Sequence, residues 1–386
     1  MSETLALYIH WPFCVSKCPY CDFNSHVREQ VDQAAWRDAL IADLTHEARL
    51  TEGRKLGSIF FGGGTPSLMP PETAAALIDA AEQHWGFADD VEIMLEANPS
   101  SVEAARFAEL AFAGVNRVSL GLQALDDATL NFLGRAHRVE ESLSALETAQ
   151  RHFGRVTIDL IYARPDQSAK AWDAELARAI GFGTTHMSLY QLTIEPGTRF
   201  ATDVAKRQWE PLDDDAAADL YELTQARMEA AGLPAYEISN HAAPGQESRH
   251  NLAYWRYRDY VGIGPGAHGR RTNMATQRHR KPENFLSAIE RNAHGLQSET
   301  ALDASTQAME AMLMGLRLRE GVDIASLADR FAMDSGDLVD WTAVQKLEAL
   351  EFVNRDGLHL AITPKGFPLL DAILPQIVAI EPTPDA

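Results

Sequence analysis

Residues Tyr8 to Phe23 read YIHWPFCVSKCPYCDF and contain all three cysteines of the 386-residue chain, Cys14, Cys18 and Cys21. Thiolates so close in sequence favour a shared metal centre over separate positions in a core. The C-x3-C-x2-C spacing supplies three ligands, so one iron of a four-iron cluster would stay open to a small molecule. The stretch therefore predicts an iron–sulfur cluster with a free coordination position.

A zinc site is the alternative interpretation of the same cysteines. Zinc takes four ligands, and His10 or His26 is close enough in sequence to be the fourth. Disulfide bonds are disfavoured, because an odd number of clustered cysteines suits a reducing compartment and a metal.

Length and charge narrow the class of protein. A chain of 386 residues exceeds the size of one core, so we expect two or three domains. With 34 basic and 55 acidic residues the net charge is −21, which disfavours nucleic-acid binding. The sequence has no long apolar run, and its start lacks the features of a signal peptide, so we expect a cytoplasmic protein without transmembrane segments.

Short apolar segments alternate with amphipathic ones over the first half of the chain. The segments predicted as strands are 5–10, 58–61, 91–96, 117–120, 156–161 and 187–192. The segments predicted as helices are 32–52, 72–85, 101–113, 126–133, 139–152 and 168–180. Such alternation predicts an α/β fold of parallel βαβ units, here an incomplete (β/α)6 barrel over residues 1–195, with its chemistry at the carboxyl ends of the strands.

The pattern changes after Pro196. Residues 196–304 are predicted to form a smaller α+β connecting region that contains HNLAYW (250–255) and VGIGPGAHG (261–269). Residues 305–386 suggest three helices and a hairpin that turns at Asp356-Gly357, which is a winged-helix-like outline. Because residues 301–386 carry 14 acidic and 6 basic side chains, we expect this domain to pack or dock a partner instead of binding DNA. The last six residues, EPTPDA, are predicted to be disordered.

Candidate site residues follow the predicted strands. Gly62-Gly63-Gly64-Thr65 comes after the second strand, where glycines let a ligand approach the backbone. The other reading of this glycine cluster is a tight strand-to-helix turn. Glu96 ends the third strand behind three apolar residues, so its carboxylate needs a partner if it is buried. Tyr20, before the last cysteine, suits either an adenine contact or ordinary core packing.

Gln123, Arg135 and Asp159 occupy comparable positions after or within later strands. An arginine pairs with a carboxylate through its planar fork, and an aspartate accepts from ribose hydroxyls. Each residue alone has a plain surface interpretation, whereas together they form a consistent set for one ligand.

These motifs resemble one known family. YIHWPFCVSKCPYCDF, FFGGGTPS, EANP, GLQ and IDLIY are similar to oxygen-independent coproporphyrinogen III oxidase and its haem-chaperone relatives of the HemW type, which are radical S-adenosylmethionine (SAM) proteins. The resemblance runs from Tyr8 to the C-terminal domain. It implies that the three cysteines ligate a [4Fe–4S] cluster. It also implies a SAM site lined by Tyr8, Gly63, Gly64, Thr65, Glu96, Gln123, Arg135 and Asp159.

Two features separate the branches of this family. The oxidase has a further cysteine two residues after the cluster motif and an N-terminal extension, whereas this chain has Phe23 and only seven residues before Tyr8. His250 to Trp255, HNLAYW, matches the H-N-x-x-Y-W motif of the haem chaperones. An imidazole beside two aromatic rings can ligate haem iron, with His268 as the next candidate, although such a histidine can also be a hydrogen-bonded core residue.

One segment departs from the family pattern. Where relatives read Y-G-L-P after the fifth strand, this chain has Tyr162-Ala163-Arg164-Pro165. Alanine adopts a positive φ only at a cost, so the geometry of this loop is expected to differ.

The expected function is that of a haem-binding chaperone with a SAM-binding [4Fe–4S] cluster, which delivers haem to an acceptor protein. The alternatives are coproporphyrinogen III oxidation and another radical SAM reaction. Catalytic residues are not assigned, and a homodimer is implied by the resemblance alone.

Overall fold

A computed structural model describes residues 4–28 and 30–380; the predicted disordered tail, 381–386, lies outside this range. The strands are β1 (Leu5–Trp11), β2 (Phe13–Cys14), β3 (His26–Val27), β4 (Leu56–Gly63), β5 (Phe87–Ala97), β6 (Arg117–Gln123), β7 (Arg155–Tyr162), β8 (His186–Gln191), β9 (Asn240–Ala242), β10 (Tyr260–Ile263), β11 (His268–Arg271), β12 (Met274–Arg278), β13 (Leu296–Ala301), β14 (Val322–Asp323), β15 (Val353–Asp356) and β16 (His359–Ile362).

The helices are α1 (Gln33–Leu50), α2 (Pro71–Trp85), α3 (Ser101–Ala104), α4 (Phe107–Phe112), α5 (Asp127–Phe132), α6 (Val139–His152), α7 (Ala169–Ile180), α8 (Arg199–Ala205), α9 (Asp214–Ala230), α10 (Arg249–Trp255), α11 (Pro282–Asn292), α12 (Ala304–Gly315), α13 (Ile324–Phe331), α14 (Ser335–Leu338), α15 (Trp341–Ala349) and α16 (Leu370–Ile377). None of the described helices is long and apolar enough to cross a membrane.

The six predicted strands are confirmed as β1, β4, β5, β6, β7 and β8. They lie side by side in that order, and each pairs in parallel with the next. Helices follow most of these strands, so the predicted α/β fold with six parallel strands of a partial barrel is confirmed. Parallel strands place all their carboxyl ends at one edge of the sheet, which is where ligands bind in such folds.

Side chains alternate between two faces along β1. Leu7 and Ile9 are fully buried and belong to the same apolar cluster as Leu40 and Leu44 of α1, on the outer, helix-covered face. Tyr8 points the other way, into the space enclosed by the curved sheet, which we call the lumen.

The connecting region extends the same sheet at both ends. Strand β10 pairs in parallel with β1 and continues into the antiparallel strands β11, β12 and β13, while β9 pairs antiparallel with β8. The HNLAYW motif forms α10, near the amino ends of β5 and β6. Glu92 fixes it there, because one carboxylate oxygen accepts from Arg249 N and the other from Arg117 Nη1 at the start of β6.

The C-terminal part has a core of its own. Helices α12, α13 and α15 precede the hairpin β15–β16, and β14 adds a third strand against β16. This agrees with the predicted winged-helix-like outline. The predicted helix over 101–113 is instead two short helices, α3 and α4, separated by a turn at Ala105 and Arg106.

A buried ion cluster joins α1 to the extended end of the sheet. Arg278 is fully buried, and its guanidinium donates to Glu47 at 2.6 Å and to Asp43 at 3.3 Å, both of which are also buried. Asp43 also accepts from the backbone N–H groups of Gly264 and Gly295. Breaking such a pair leaves carboxylates uncompensated inside the protein.

We expect Arg278→Met to lower the free energy of unfolding by about 3–5 kcal/mol, because buried Asp43 loses its cation and buried Glu47 keeps only its ion pair with Arg271. The control is Arg227→Met. Its ion pair with Asp173 is substantially exposed, so the loss is at most about 1 kcal/mol. Urea unfolding followed by circular dichroism measures both variants, and equal midpoints for the two would contradict the expectation.

Candidate functional site

The cysteine loop, residues 12–25, follows β1 at the carboxyl edge of the sheet. Cys14 lies in β2, which pairs in parallel with β3 on the far side of the loop. All three cysteines are free and partly buried. Burial raises the pKa of the Cys14 and Cys21 thiols, and the neighbouring cysteines raise it further. The thiols are therefore close enough to affect one another's charge, and a bound cation would relieve the repulsion between their thiolates.

Of the two histidines proposed as a fourth zinc ligand, His10 is engaged in hydrogen bonds, whereas His26 Nε2 has no hydrogen-bond partner among the described residues. Both ring nitrogens of His10 are engaged, Nδ1 with the Tyr8 hydroxyl and Nε2 with the carbonyl of Asn24, each at 2.9 Å. Over residues 4–28 and 30–380, no three His, Cys, Asp or Glu side chains are close enough to hold one metal ion.

The glycine segment, residues 62–65, packs directly on the cysteine loop. Gly64 N donates to Trp11 O at 2.7 Å, and Thr65 N donates to Phe13 O at 2.8 Å. A Cβ at Gly64 would lie 2.6 Å from Phe13 O, and one at Gly63, where φ is 110°, would overlap the His10 ring. Contacts within the chain already require glycine at these positions.

Two of the predicted residues touch cysteine sulfurs. Thr65 Oγ1 donates to Cys14 Sγ at 3.5 Å, and Arg135 Nη1 donates to Cys18 Sγ at 3.4 Å. Arg135 Nη1 also contacts the Tyr20 hydroxyl, and Nη2 donates to Gly121 O. The guanidinium of Arg135 therefore has protein partners on both terminal nitrogens.

Glu96 and Asp159 are close enough across the lumen for the charge of Asp159 to affect Glu96. Glu96 accepts from Gly63 N at 3.3 Å, and burial together with the Asp159 charge raises its pKa to about 8. Asp159 accepts from Ser119 Oγ at 2.9 Å, and burial raises its pKa to about 6. Among the described residues neither carboxylate has an ion-pair partner. A cationic ligand would supply the missing charge.

Gln123 ends β6 in a strained conformation. Its φ of 65° is in the left-handed region, which is unusual for a residue with a side chain. The amide folds back over Gly121, and its Oε1 is buried without a hydrogen-bond partner in the described part of the chain. A buried acceptor held this way suits a ligand that donates a hydrogen bond.

The two tyrosines predicted for the site have different surroundings. Tyr8 stacks on Phe60 with ring centroids 6.0 Å apart, and burial, with a further contribution from the nearby Glu96 charge, raises its pKa. Tyr20 packs on Phe200, 6.3 Å between centroids, as one edge of a small apolar cluster. Tyr8 therefore lines the lumen beside the carboxylates, and Tyr20 has the core-like contacts of its plainer interpretation.

His250 lies inside the lumen rather than at its mouth. Only 6% of the residue is exposed, and its ring stacks on Phe60 with centroids 4.7 Å apart. Tyr8 and Tyr254 flank the same imidazole. Burial lowers the pKa of His250 to about 3, and its Nδ1 has no hydrogen-bond partner among the described residues. His268, the second candidate, is exposed at the start of β11.

The YARP segment keeps the turn that glycine normally provides. Ala163 adopts a φ of 55°, so the left-handed conformation is retained without glycine, at a cost of about 1–2 kcal/mol. Arg164 is buried and forms an ion pair with Glu175 of α7, whose carboxylate also accepts from Leu125 N. Arg164 therefore ties this loop to α7 through a buried ion pair.

Sequence reasoning missed three lumen residues. Ser119 and Ser188 both bond Asp159, and Tyr190 lies beside the same carboxylate. All three follow the alternation of β6 and β8, so a strict count of inward positions from Asp159 would have found them. Asn98 was also missed: its side chain contacts both Thr65 and Arg135.

Comparison with known proteins identifies the family of the chain. The family model described as Radical SAM superfamily matches residues 8–178, and that of the HemN C-terminal domain matches residues 302–369. The Escherichia coli coproporphyrinogen III oxidase HemN, a radical SAM enzyme, superposes with a TM-score of 0.82 at 22% identity, covering 96% of this chain and 89% of that one. This likeness shows a shared fold.

Curated relatives match at higher identity. Heme chaperone HemW of Escherichia coli is 40% identical over 82% of this chain and 83% of its own length. The HemW of Mycobacterium tuberculosis is 34% identical over 96% and 94%. Radical S-adenosyl methionine domain-containing protein 1, mitochondrial, of Bos taurus is 39% identical over 83% and 75%. The resemblance predicted from the motifs is confirmed, and the chain belongs to the HemW-type family of radical SAM proteins.

Proposed function

We propose that this protein is a haem-binding chaperone, which holds a [4Fe–4S] cluster with SAM and passes haem to an acceptor protein. One observation supports it most strongly: three free thiols lie at the same edge of the sheet as two carboxylates that have no ion-pair partner among the described residues, in a chain whose relatives are named heme chaperones. The donor set fits a cluster, and the lumen fits a cationic ligand.

Cys14, Cys18 and Cys21 would hold three irons of the cluster. When bound, the cluster supplies the electron and the open iron position that chemistry on SAM requires. Thr65 and Arg135 donate toward the sulfurs, and this places positive charge beside thiolates that otherwise repel one another.

The SAM site is proposed along the lumen wall. Glu96, with the backbone of Gly63 and Gly64, would hold the ammonium group, and Asp159 with Gln123 would accept from the ribose. Tyr8 would form the wall beneath them. Arg135 would pair with the carboxylate of SAM, a role for which one of its present contacts, to Cys18 or to Tyr20, must give way.

Haem binding is proposed at His250. Its imidazole suits haem iron chemically, and Nδ1 is free of hydrogen bonds within the described residues. Because the ring is stacked on Phe60 and largely buried, iron can reach it only if α10 moves away from β4. The acceptor protein, a homodimer and a cytoplasmic location complete the proposal, the last because free clustered cysteines suit a reducing compartment.

The oxidase alternative finds less support. Phe23 stands where the oxidase has its further cysteine, and its side chain is 57% exposed at the rim of the cysteine loop. An exposed aromatic ring cannot replace a thiol in metal binding or redox chemistry. The shared fold with HemN does not by itself carry the oxidase activity.

We expect replacement of all three cysteines by alanine to abolish the chromophore at about 400 nm after anaerobic reconstitution, and to reduce iron to background, because no other thiols exist in the chain. Ser16→Ala, in the same loop, is the matched control and should keep the cluster. Stoichiometric zinc without iron in the unmutated protein would support the zinc alternative.

SAM affinity should rise with pH, because a carboxyl with a pKa of about 8 must ionise to pair with the cation. Between pH 6.5 and 8 we expect the dissociation constant to fall by about tenfold and then to level off. Glu96→Gln should bind weakly and lose this dependence above pH 7, whereas the exposed Glu109→Gln should behave as wild type. Calorimetric titration of the cluster-loaded protein measures this, and a flat wild-type profile would exclude Glu96 from the site.

Haem titration tests the chaperone assignment. At matched cluster loading, His250→Ala should shift the Soret band and weaken binding by at least about tenfold, or 1.4 kcal/mol, because the iron loses an axial bond. His268→Ala, the matched control, should bind as wild type.

Two results would contradict this assignment. Normal haem spectra in His250→Ala together with altered spectra in His268→Ala would move the ligand to His268. Sustained conversion of coproporphyrinogen III to protoporphyrinogen with SAM and reductant, above the level of the cysteine-free variant, would restore the oxidase.

A further inference from the structure

Asn98, directly after β5, connects two elements that touch the cysteines. Its Nδ2 donates to Thr65 Oγ1 at 3.3 Å, and its Oδ1 accepts from Arg135 Nη2. Thr65 in turn donates to Cys14 Sγ, and Arg135 donates to Cys18 Sγ. One amide thus lies between the hydrogen-bond donors of two different sulfurs.

Glu103 fixes the orientation of that amide. This carboxylate is 4% exposed and accepts from both Asn98 N, at 2.8 Å, and Asn98 Nδ2, at 3.3 Å. Ser67 and Ser100 also donate to it. A carboxylate only accepts and a guanidinium only donates, so the amide nitrogen must face Glu103 and the amide oxygen must face Arg135.

The fixed amide determines where the Thr65 proton goes. A hydroxyl has a single proton, and the Thr65 oxygen already accepts from Asn98 Nδ2, so that proton is directed to Cys14 Sγ. Arg135 is planar and rigid, and the hold on its Nη2 aims Nη1 at Cys18 Sγ. Removing the Asn98 side chain would release both donors together.

We propose that Asn98 is a positioning residue for the cluster, which orients Thr65 and Arg135 toward the sulfurs of Cys14 and Cys18 and thereby raises the reduction potential. The inference rests on the cluster in the proposed function. Donors to cysteine sulfurs stabilise the more negative, reduced form of an iron–sulfur centre, and hydrogen bonds to the sulfurs are among the determinants of its potential.

The test compares Asn98→Ala with Asn116→Ala in reconstituted protein without SAM. Asn116 is a suitable control because its side-chain amide also makes two hydrogen bonds, accepting from Ile93 N and donating to Val91 O of β5. Unlike Asn98, it does not contact the residues that bond the cysteine sulfurs. Iron content, the midpoint potential from spectroelectrochemical titration and the electron paramagnetic resonance spectrum of the reduced cluster are measured for each.

We expect Asn98→Ala to keep wild-type iron content, to have a lower midpoint potential and to show altered g-values, while Asn116→Ala matches wild type in all three. In a Thr65→Val background, Asn98→Ala should shift the midpoint potential by less, because the hydrogen bond from Thr65 to Cys14 is already absent. Asn98→Ser, which keeps a short polar side chain beside Glu103, replaces Asn98→Ala with the same criteria if that variant binds no iron.

The outcomes separate this inference from the function on which it rests. Wild-type potential and spectrum in an iron-loaded Asn98 variant would overturn the positioning role and leave the cluster in place. An equal shift in Asn116→Ala would reduce the effect to general destabilisation and also overturn it. Wild-type protein without a four-iron cluster would overturn both proposals.

Discussion

The site depends on a close backbone contact between the cysteine loop and the glycine segment. Two main-chain hydrogen bonds, from Gly64 to Trp11 and from Thr65 to Phe13, hold the segments so near that a single added methyl group would collide with a carbonyl oxygen. This contact holds the cysteine loop against the Thr65 hydroxyl, next to the strand pairing that positions Glu96. Because glycine has no side chain, the two segments can approach closely enough for these hydrogen bonds to fix their relative position.

The lumen combines strong negative charge with incomplete neutralisation. At its amino end Glu92 is bound by Arg117 and Arg155, so the charge there is satisfied. At its carboxyl end Glu96 and Asp159 have hydroxyl and backbone donors but no cation among the described residues. The ion pairs of Glu92 therefore stabilise the fold at the amino end, whereas Glu96 and Asp159 at the carboxyl end remain able to bind a cationic ligand.

Sequence periodicity predicted the parallel strands well, because their apolar runs are buried on the helix-covered face and read clearly as strands. The cysteines and the Glu96 position were also accessible from the sequence, since the cysteines follow β1 and Glu96 lies at the carboxyl end of β5. The location of His250 was not, because its burial depends on α10 crossing the far end of the sheet, a contact with Glu92 more than 150 positions away in the chain. Asn98 was missed for a related reason: its role appears only when Thr65, Glu103 and Arg135 are brought together in space.

The connecting region covers both edges of the parallel sheet. Strand β10 lies against β1, and β9 lies against β8, so neither of these strands exposes a bare row of N–H and C=O groups. A fragment ending at residue 195 would present two such rows at once, and exposed strand edges recruit other chains. Residues that are translated after the partial barrel therefore protect it from aggregation. An N-terminal fragment released without them would expose two strand edges and would be prone to aggregate.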